Sequence, residues 1–112
     1  MNAIHYQLPD GEPVCGAQYP RLAPGLAIRA EHYPTILGGP RWFVDHVGSG
    51  ARISSFSWRR QAEHFLRAIA PLCDWTLPAD ALRPKGRKGT KFLRKLKACR
   101  KEAMTRTCQP DC

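Results

Sequence analysis

The lysine and arginine side chains near the C-terminus are the residues of this sequence whose type and spacing could do chemistry. Eleven of the chain's 18 basic residues lie between Arg83 and Arg106, together with one of its nine acidic residues. This segment therefore carries a net charge of +10 and the rest of the chain −1, which gives the formal +9. Because concentrated positive charge attracts polyanions, the segregation predicts an anionic partner: nucleic acid, an acidic protein surface or an anionic membrane.

Nucleic acid is the partner class that these cations favour. Neutralising backbone phosphates releases condensed counterions, and about six such contacts would give a log–log salt slope near −5 on B-form DNA. We therefore predict a non-enzymatic nucleic-acid-binding protein whose cationic arm contacts phosphates, with DNA and RNA both open. The predicted phosphate contacts in the arm are Arg87, Lys88, Lys91, Arg94, Lys95, Lys97 and Lys101.

A second group of cations lies at the predicted junction between a strand and a helix, in the segment RISSFSWRRQ. Helix N-termini present unpaired N–H groups and a positive dipole end, so Arg59 and Arg60 could hold a phosphate there with nearby serines. The serines are Ser54, Ser55 and Ser57. The interpretation that we favour is simple capping of the helix by Ser57 with two solvated arginines. Both arginines are nevertheless included among the predicted nucleic-acid contacts.

The leader RPKGRKG, at positions 83–89, resembles an AT-hook, the short Arg-Gly-Arg-Pro element whose arginines lie in a narrow minor groove. The resemblance covers seven residues, and Lys-Gly-Arg-Lys stands where the hook has Arg-Gly-Arg-Pro. It implies that glycine lets the backbone approach a groove floor where negative potential is concentrated. An ordinary flexible linker is the alternative that this composition favours.

The rival to nucleic-acid binding is a small protein-binding modulator or inhibitor, for example an accessory or anti-defence protein of a mobile element. Such a protein would use the same arm to occupy an acidic or nucleic-acid-facing surface of a larger complex. We expect no membrane partner, because the arm's apolar stripe lacks the face rich in Trp, Phe and Leu that insertion needs. No apolar run approaches the eighteen or so residues of a membrane span.

Catalytic, metal and cofactor sites are not predicted. Asp45 and His46 are adjacent in a predicted strand, so their side chains point to opposite faces and form no dyad. The chain contains no Gly-rich phosphate loop, HExxH or GxSxG motif. Cys99, Cys108 and Cys112 are spaced by nine and four residues, whereas zinc commonly takes four ligands as two close pairs. We expect no enzyme, no metal and no cofactor.

The five cysteines and the N-terminal sequence bear on the compartment. Five is an odd number, so complete pairing within a monomer is impossible. The start MNAIHYQLPDGE has neither the basic region nor the apolar run of a secretory signal. We therefore expect a cytoplasmic protein with reduced thiols.

Alternating apolar residues predict the strands. Leu26 and Ile28 alternate with Ala27 and Arg29, which predicts a half-buried strand over 26–33. The segment 41–56 reads as two strands joined at Gly48-Ser49-Gly50, which predicts a hairpin. The turn triplet at positions 9–11, Pro-Asp-Gly, predicts a small hairpin or an ordered loop within residues 1–24.

Apolar residues spaced by three and four predict two helices. The first runs over 58–70 with Ser57 as its N-cap. The second runs from Lys91 to about Met104 with Thr90 as its cap, and it is short enough to need docking or a partner. We expect Trp42, Trp58, Phe65 and Trp75 to be core residues, although Trp42 or Phe43 could stack on a single strand if its face is open.

Together these elements predict an α+β fold. A small antiparallel sheet, made of the 41–56 hairpin and the 26–33 strand, is covered by one amphipathic helix and followed by a basic C-terminal helix. We assign residues 1–77 to a compact domain and 78–112 to a basic linker, the C-terminal helix and a short tail. The exposed edge of such a sheet also makes a homodimer possible.

Overall fold

The fold is a five-stranded antiparallel sheet with helices, an α+β architecture. The computed structural model describes residues 2–32, 40–82 and 87–105, apart from three side chains at positions 32, 40 and 88. The strands follow one another in the order β1-β2-β3-β4-β5. They are β1 Asn2–Gln7, β2 Pro13–Gln18, β3 Leu26–His32, β4 Pro40–His46 and β5 Arg52–Phe56. The helices are α1 Arg59–Ile69, a 3-10 turn Ala70–Leu72, α2 Ala79–Leu82 and α3 Arg87–Met104.

The predicted strands are confirmed, and the sheet is larger than predicted. β3 matches the 26–33 strand as far as His32, and β4 with β5 forms the 41–56 hairpin. The residues given as a hairpin or an ordered loop form the hairpin β1–β2. Its turn uses the expected chemistry: Gly11 has a φ of +89°, and the Asp10 carboxylate accepts a hydrogen bond from the Glu12 amide at 3.0 Å.

Both predicted helix caps are wrong. Trp58 occupies the N-cap position of α1 without a side-chain cap bond, because the Ser57 hydroxyl accepts instead from Arg41 Nη1 at 2.9 Å. Helix α3 begins at Arg87, which places Thr90 inside the helix. The end of α1 is close to the prediction, since Ile69 is its last residue and Pro71 lies in the following 3-10 turn.

One face of the sheet packs against the helices and forms the core. Leu26, Val44 and Phe56 of the sheet are fully buried there, in one cluster with the stripe of α1. That stripe consists of Ala62, Phe65, Leu66 and Ile69. The rings of Phe56 and Phe65 lie 5.3 Å apart at a tilted angle, a favourable geometry for aromatic pairs.

Trp75, which follows the 3-10 turn, closes the end of this core. Its indole nitrogen donates to the Ile69 carbonyl at 2.8 Å, and His46 Nε2 lies 2.9 Å from its backbone carbonyl oxygen. Gly25 is required here, because it has a φ of +88° and a Cβ in its place would lie 2.3 Å from the same carbonyl oxygen.

The opposite face of the sheet buries an ionic cluster. Asp45 is 0% exposed, and its Oδ2 accepts from the Tyr6 hydroxyl at 2.7 Å and from Arg29 Nε at 2.6 Å. Arg29 also pairs with Glu31. Burial, followed by the hydrogen bond to Asp45, raises the pKa of Tyr6 above its usual range. Asp45 and His46 therefore lie on opposite faces of β4, each with its own partners.

Candidate functional site

The candidate site is the outer surface of two antiparallel helices, α1 and α3. Gln61 Nε2, near the start of α1, donates to the Met104 carbonyl at the end of α3, at 3.4 Å. His64 and Glu102, each farther from those ends, are 3.5 Å apart. Beyond the end of α1, the ring of Trp75 lies 6.0 Å from that of Phe92, near the start of α3. The start of α1 therefore lies beside the end of α3, and the region after α1 lies beside the start of α3, so the two helices are antiparallel.

An apolar stripe fixes α3 in this position. Phe92, Leu96 and Cys99 are half-buried against the core cluster, and Ala103 is fully buried within it. The spacings of four, three and four residues place these side chains on one side of a helix. Helix α3 has 18 residues, so it is about 27 Å long. A helix docked by one stripe presents the rest of its circumference to solvent.

The predicted phosphate contacts of α3 lie on that solvent side. Six of them are exposed: Arg87, Lys91, Arg94, Lys95, Lys97 and Lys101. The side chain of Lys88 lies outside the described part of the structure, as do Arg83 to Gly86 of the AT-hook-like leader. The exposed cations are spread along the helix from its first residue to its last turn.

These cations lack carboxylate partners within the described residues. The ion pairs found there join Arg29 to Glu31 and Asp45, Arg59 to Glu63, and His64 to Glu102. None of them uses a lysine or arginine of α3. Arg100, which was not among the predicted contacts, is tied to the body through its Nε, which donates to the Ser54 hydroxyl at 2.9 Å. The six exposed cations of α3 are therefore without a carboxylate partner among the described residues.

Helix α1 adds a second cationic area beside α3. An open depression of about 500 Å³ is lined by Arg59, Arg60, Arg67, Glu63 and His64. Arg60 and Arg67 are exposed there. The sequence analysis included Arg60 among the predicted contacts but did not include Arg67. Arg67 lies on the side of α1 opposite the apolar stripe, and this position could have indicated that it is exposed.

Arg59 is more constrained than its neighbour Arg60. Its Nε donates to Glu63 Oε1 at 2.9 Å, and its guanidinium carbon lies 5.5 Å from the centre of the Trp42 ring. Hydrogen bonding to Tyr19 raises the pKa of this guanidinium. Arg59 therefore contributes charge to the depression while its position is fixed by the body.

The serines of the predicted phosphate site bind the protein's own arginines. Ser54 is buried and accepts from Arg100. Ser55 and Ser57 accept from the two terminal nitrogens of Arg41, at 3.1 Å and 2.9 Å. The structure therefore brings Arg59 and Arg60 together with Arg67, and engages the three serine hydroxyls elsewhere.

Two aromatic expectations change. Trp58, expected in the core, is 47% exposed. Phe43, expected as a possible stacking surface, is buried with Arg29 4.6 Å and Arg52 4.0 Å from its ring centre. Trp42 is half-buried below Arg59. Among the described residues, the most exposed large hydrophobic side chain is therefore that of Trp58, at the start of α1.

Among the described residues no group of three or more His, Cys, Asp and Glu side chains is placed to hold a metal ion. Cys15, Cys73 and Cys99 are free thiols, and burial raises the pKa of Cys73 and of Cys99. Cys108 and Cys112 lie outside the described residues. No helix in the described ranges has the length and apolar character needed to cross a bilayer.

Comparison with known proteins leaves the function to be argued from the geometry. The chain matches no protein-family model, and no curated protein or solved structure is significantly similar to it.

Proposed function

We propose that this protein binds nucleic acid, without catalysis, through the cationic surface of α3 and the neighbouring arginines of α1. The observation that carries the proposal is the exposure of six arm cations with no carboxylate partner among the described residues. Polyanion backbones offer the charge that such a surface lacks. The proposal includes a cytoplasmic location, which rests on the cysteine content.

The docking of α3 supports a preformed surface over a flexible arm. Phe92, Leu96 and Ala103 hold the helix against the core, so the backbone that carries its cations needs no ordering when the partner binds. Ordering a free helix of this length on binding would cost conformational entropy. Exposed, unpaired cations on a fixed helix therefore favour phosphate contact at a low entropic cost.

Arg60 and Arg67 extend the surface from α3 onto α1. Both arginines line the depression on α1. Its acidic neighbours are Glu63, which also lines it, and Glu102, which pairs with His64. Contacts of this kind position a phosphate backbone and carry no sequence information. We therefore propose salt-sensitive binding with weak sequence preference.

The test compares two variants with the same change in net charge. Lys91→Gln, Lys95→Gln and Lys101→Gln remove three exposed charges from α3. The control variant Arg21→Gln, Asn2→Asp and Gln7→Glu also lowers the charge by three, at exposed positions that are not part of α1 or α3. Fluorescence anisotropy with labelled DNA and RNA should show at least tenfold weaker binding for the α3 variant and less than threefold for the control. Equal loss in both variants would mean that only net charge matters, and the site would be rejected.

A second candidate is the protein-binding modulator, and two apolar side chains of α3 favour it. Leu93 is 37% exposed and Met104 43% exposed among the cations. Exposed apolar and Met side chains are common at protein interfaces. A pull-down from nuclease-treated lysate separates the candidates, because a partner retained without nucleic acid supports the modulator and the loss of all partners supports nucleic-acid binding.

A further inference from the structure

Trp58 is the most exposed of the large hydrophobic side chains that the structure describes, at 47%. It occupies the N-cap of α1 in an extended conformation, with φ −125° and ψ 139°. Its backbone carbonyl accepts from the Ala62 amide at 3.3 Å, so the backbone is tied to the helix while nearly half of the residue remains exposed. Packing in the core therefore does not explain why a tryptophan stands at this position.

Trp58 has no aromatic or cationic ring partner among the described residues, in contrast to the neighbouring aromatic residues. Guanidinium groups lie over the rings of Trp42, Phe43 and Phe56. Trp75 packs against Phe92. Within the described residues no ring and no cation stacks on Trp58. An exposed indole without a stacking partner can accept another flat ring.

The surroundings of Trp58 are cationic. Arg59 and Arg60 follow it directly, and Arg41 is bound to Ser57 on its other side. Arg60 and Arg67 are seven residues apart, about 10.5 Å along a helix. An interval of this length places the two guanidinium groups at different positions along a bound strand. Positive charge next to a free indole is complementary to a nucleotide, which joins a flat base to an anionic phosphate.

We propose that Trp58 stacks on an unpaired base of a single-stranded nucleic acid whose adjacent phosphates lie along the arginines of α1. Bases inside a duplex are already stacked on one another, so only an unpaired base can use the indole face. Every base has a π face, and the stacking is therefore tolerant of sequence. This inference rests on the proposed function and adds to it a preference for single strands.

The experiment replaces Trp58 and measures binding to a single-stranded oligonucleotide and to its duplex at one salt concentration. Stacking on one base contributes about 1–3 kcal/mol, so Trp58→Ala should weaken single-strand binding about 5- to 160-fold. Duplex binding should change less than twofold. Trp58→Phe keeps an aromatic face and should retain most of the affinity. Leu77→Ala, a control at another exposed apolar residue, should change neither.

The outcomes separate this inference from the proposed function. If Trp58→Ala binds the single strand as the wild type does, or loses duplex and single-strand binding equally, the stacking role is overturned while the α3 surface stands. If the wild-type protein binds neither form, the proposed function itself fails. Circular dichroism of both Trp58 variants checks that the fold is retained, which the exposure of the side chain leads us to expect.

Discussion

Positive charge is buried on one side of this molecule, on the sheet face away from the helices, and exposed on the other, on the surface of α3. On the face of the sheet opposite the helices, Arg29 is 4% exposed and is enclosed by Asp45, Glu31 and the ring of Phe43. On the helical face, the cations of α3 are exposed and have no carboxylate partner in the described ranges. The same residue type therefore holds the sheet together in one region and is available to a partner in the other.

Burial decides what a charged side chain does in this protein. A buried cation interacts in a medium of low effective dielectric constant, where losing its partner is costly. An exposed cation interacts weakly with its own protein and strongly with a polyanion that offers many charges. Substitutions in the two regions should therefore have different effects.

Removing the buried acid should have the largest effect. Asp45→Ala leaves Arg29 buried with only Glu31 and leaves the Tyr6 hydroxyl without its acceptor. Breaking a buried ion pair from one side costs about 3–5 kcal/mol, so urea denaturation should show a loss of that order. Nucleic-acid binding by the folded fraction should be unchanged.

The control for the buried acid is Glu12→Ala, at an exposed acidic residue, which should change the free energy of unfolding by less than about 0.5 kcal/mol. A loss below about 1 kcal/mol for Asp45→Ala would mean that the ionic cluster is weakly coupled to folding. That result would contradict the claim that the buried charges hold the sheet together.

Loosening α3 should have the next largest effect. Phe92→Ala removes the half-buried ring that packs against Trp75, and we expect a destabilisation of about 2 kcal/mol, less than for a fully buried ring. Trp75 fluorescence should shift to longer wavelength as water reaches it. The neighbouring exposed residue provides the control, since Leu93→Ala should cost less than about 1 kcal/mol. Equal costs at the two positions would contradict the docking of α3 by its apolar stripe.

The smallest effect is expected at the depression on α1. Glu63→Gln removes an exposed i,i+4 ion pair with Arg59, which contributes about 0.3–0.5 kcal/mol to stability. It also removes a negative charge from the cationic depression, so affinity for nucleic acid should rise about twofold. Anisotropy titration measures the change, with Glu12→Gln as the control. Weaker binding by Glu63→Gln would exclude this depression from the interface.

Periodicity was sufficient to predict the elements whose faces are buried. Leu26 and Ile28 alternate because one side of β3 packs against α1, and the stripe through Phe65 and Ile69 repeats every three or four residues for the same reason. For residues 1–24 the sequence does not distinguish a hairpin from an ordered loop. The reason is that β1 and β2 carry mostly exposed or half-buried residues and lack a clear apolar alternation.

Contacts between distant positions could not be predicted. Tyr6 and Asp45 are 39 residues apart, and only the folded sheet brings them together. Ser57 has the right type for a cap, but its hydroxyl binds Arg41, from a different strand. The exposure of Trp58 follows in the same way from where α1 begins relative to the core. The cations of the arm, by contrast, are visible as charge in the sequence, while the absence of carboxylate partners for them among the described residues required the structure.

The salt dependence of binding measures how many phosphates the cations of α3 contact. With about six phosphate contacts, the wild-type protein should bind duplex DNA with a log–log salt slope near −5. The variant lacking the charges of Lys91, Lys95 and Lys101 should have a slope shallower by about 3, close to one unit for each lost contact. A wild-type slope shallower than about −1, or the same slope in both proteins, would contradict the account.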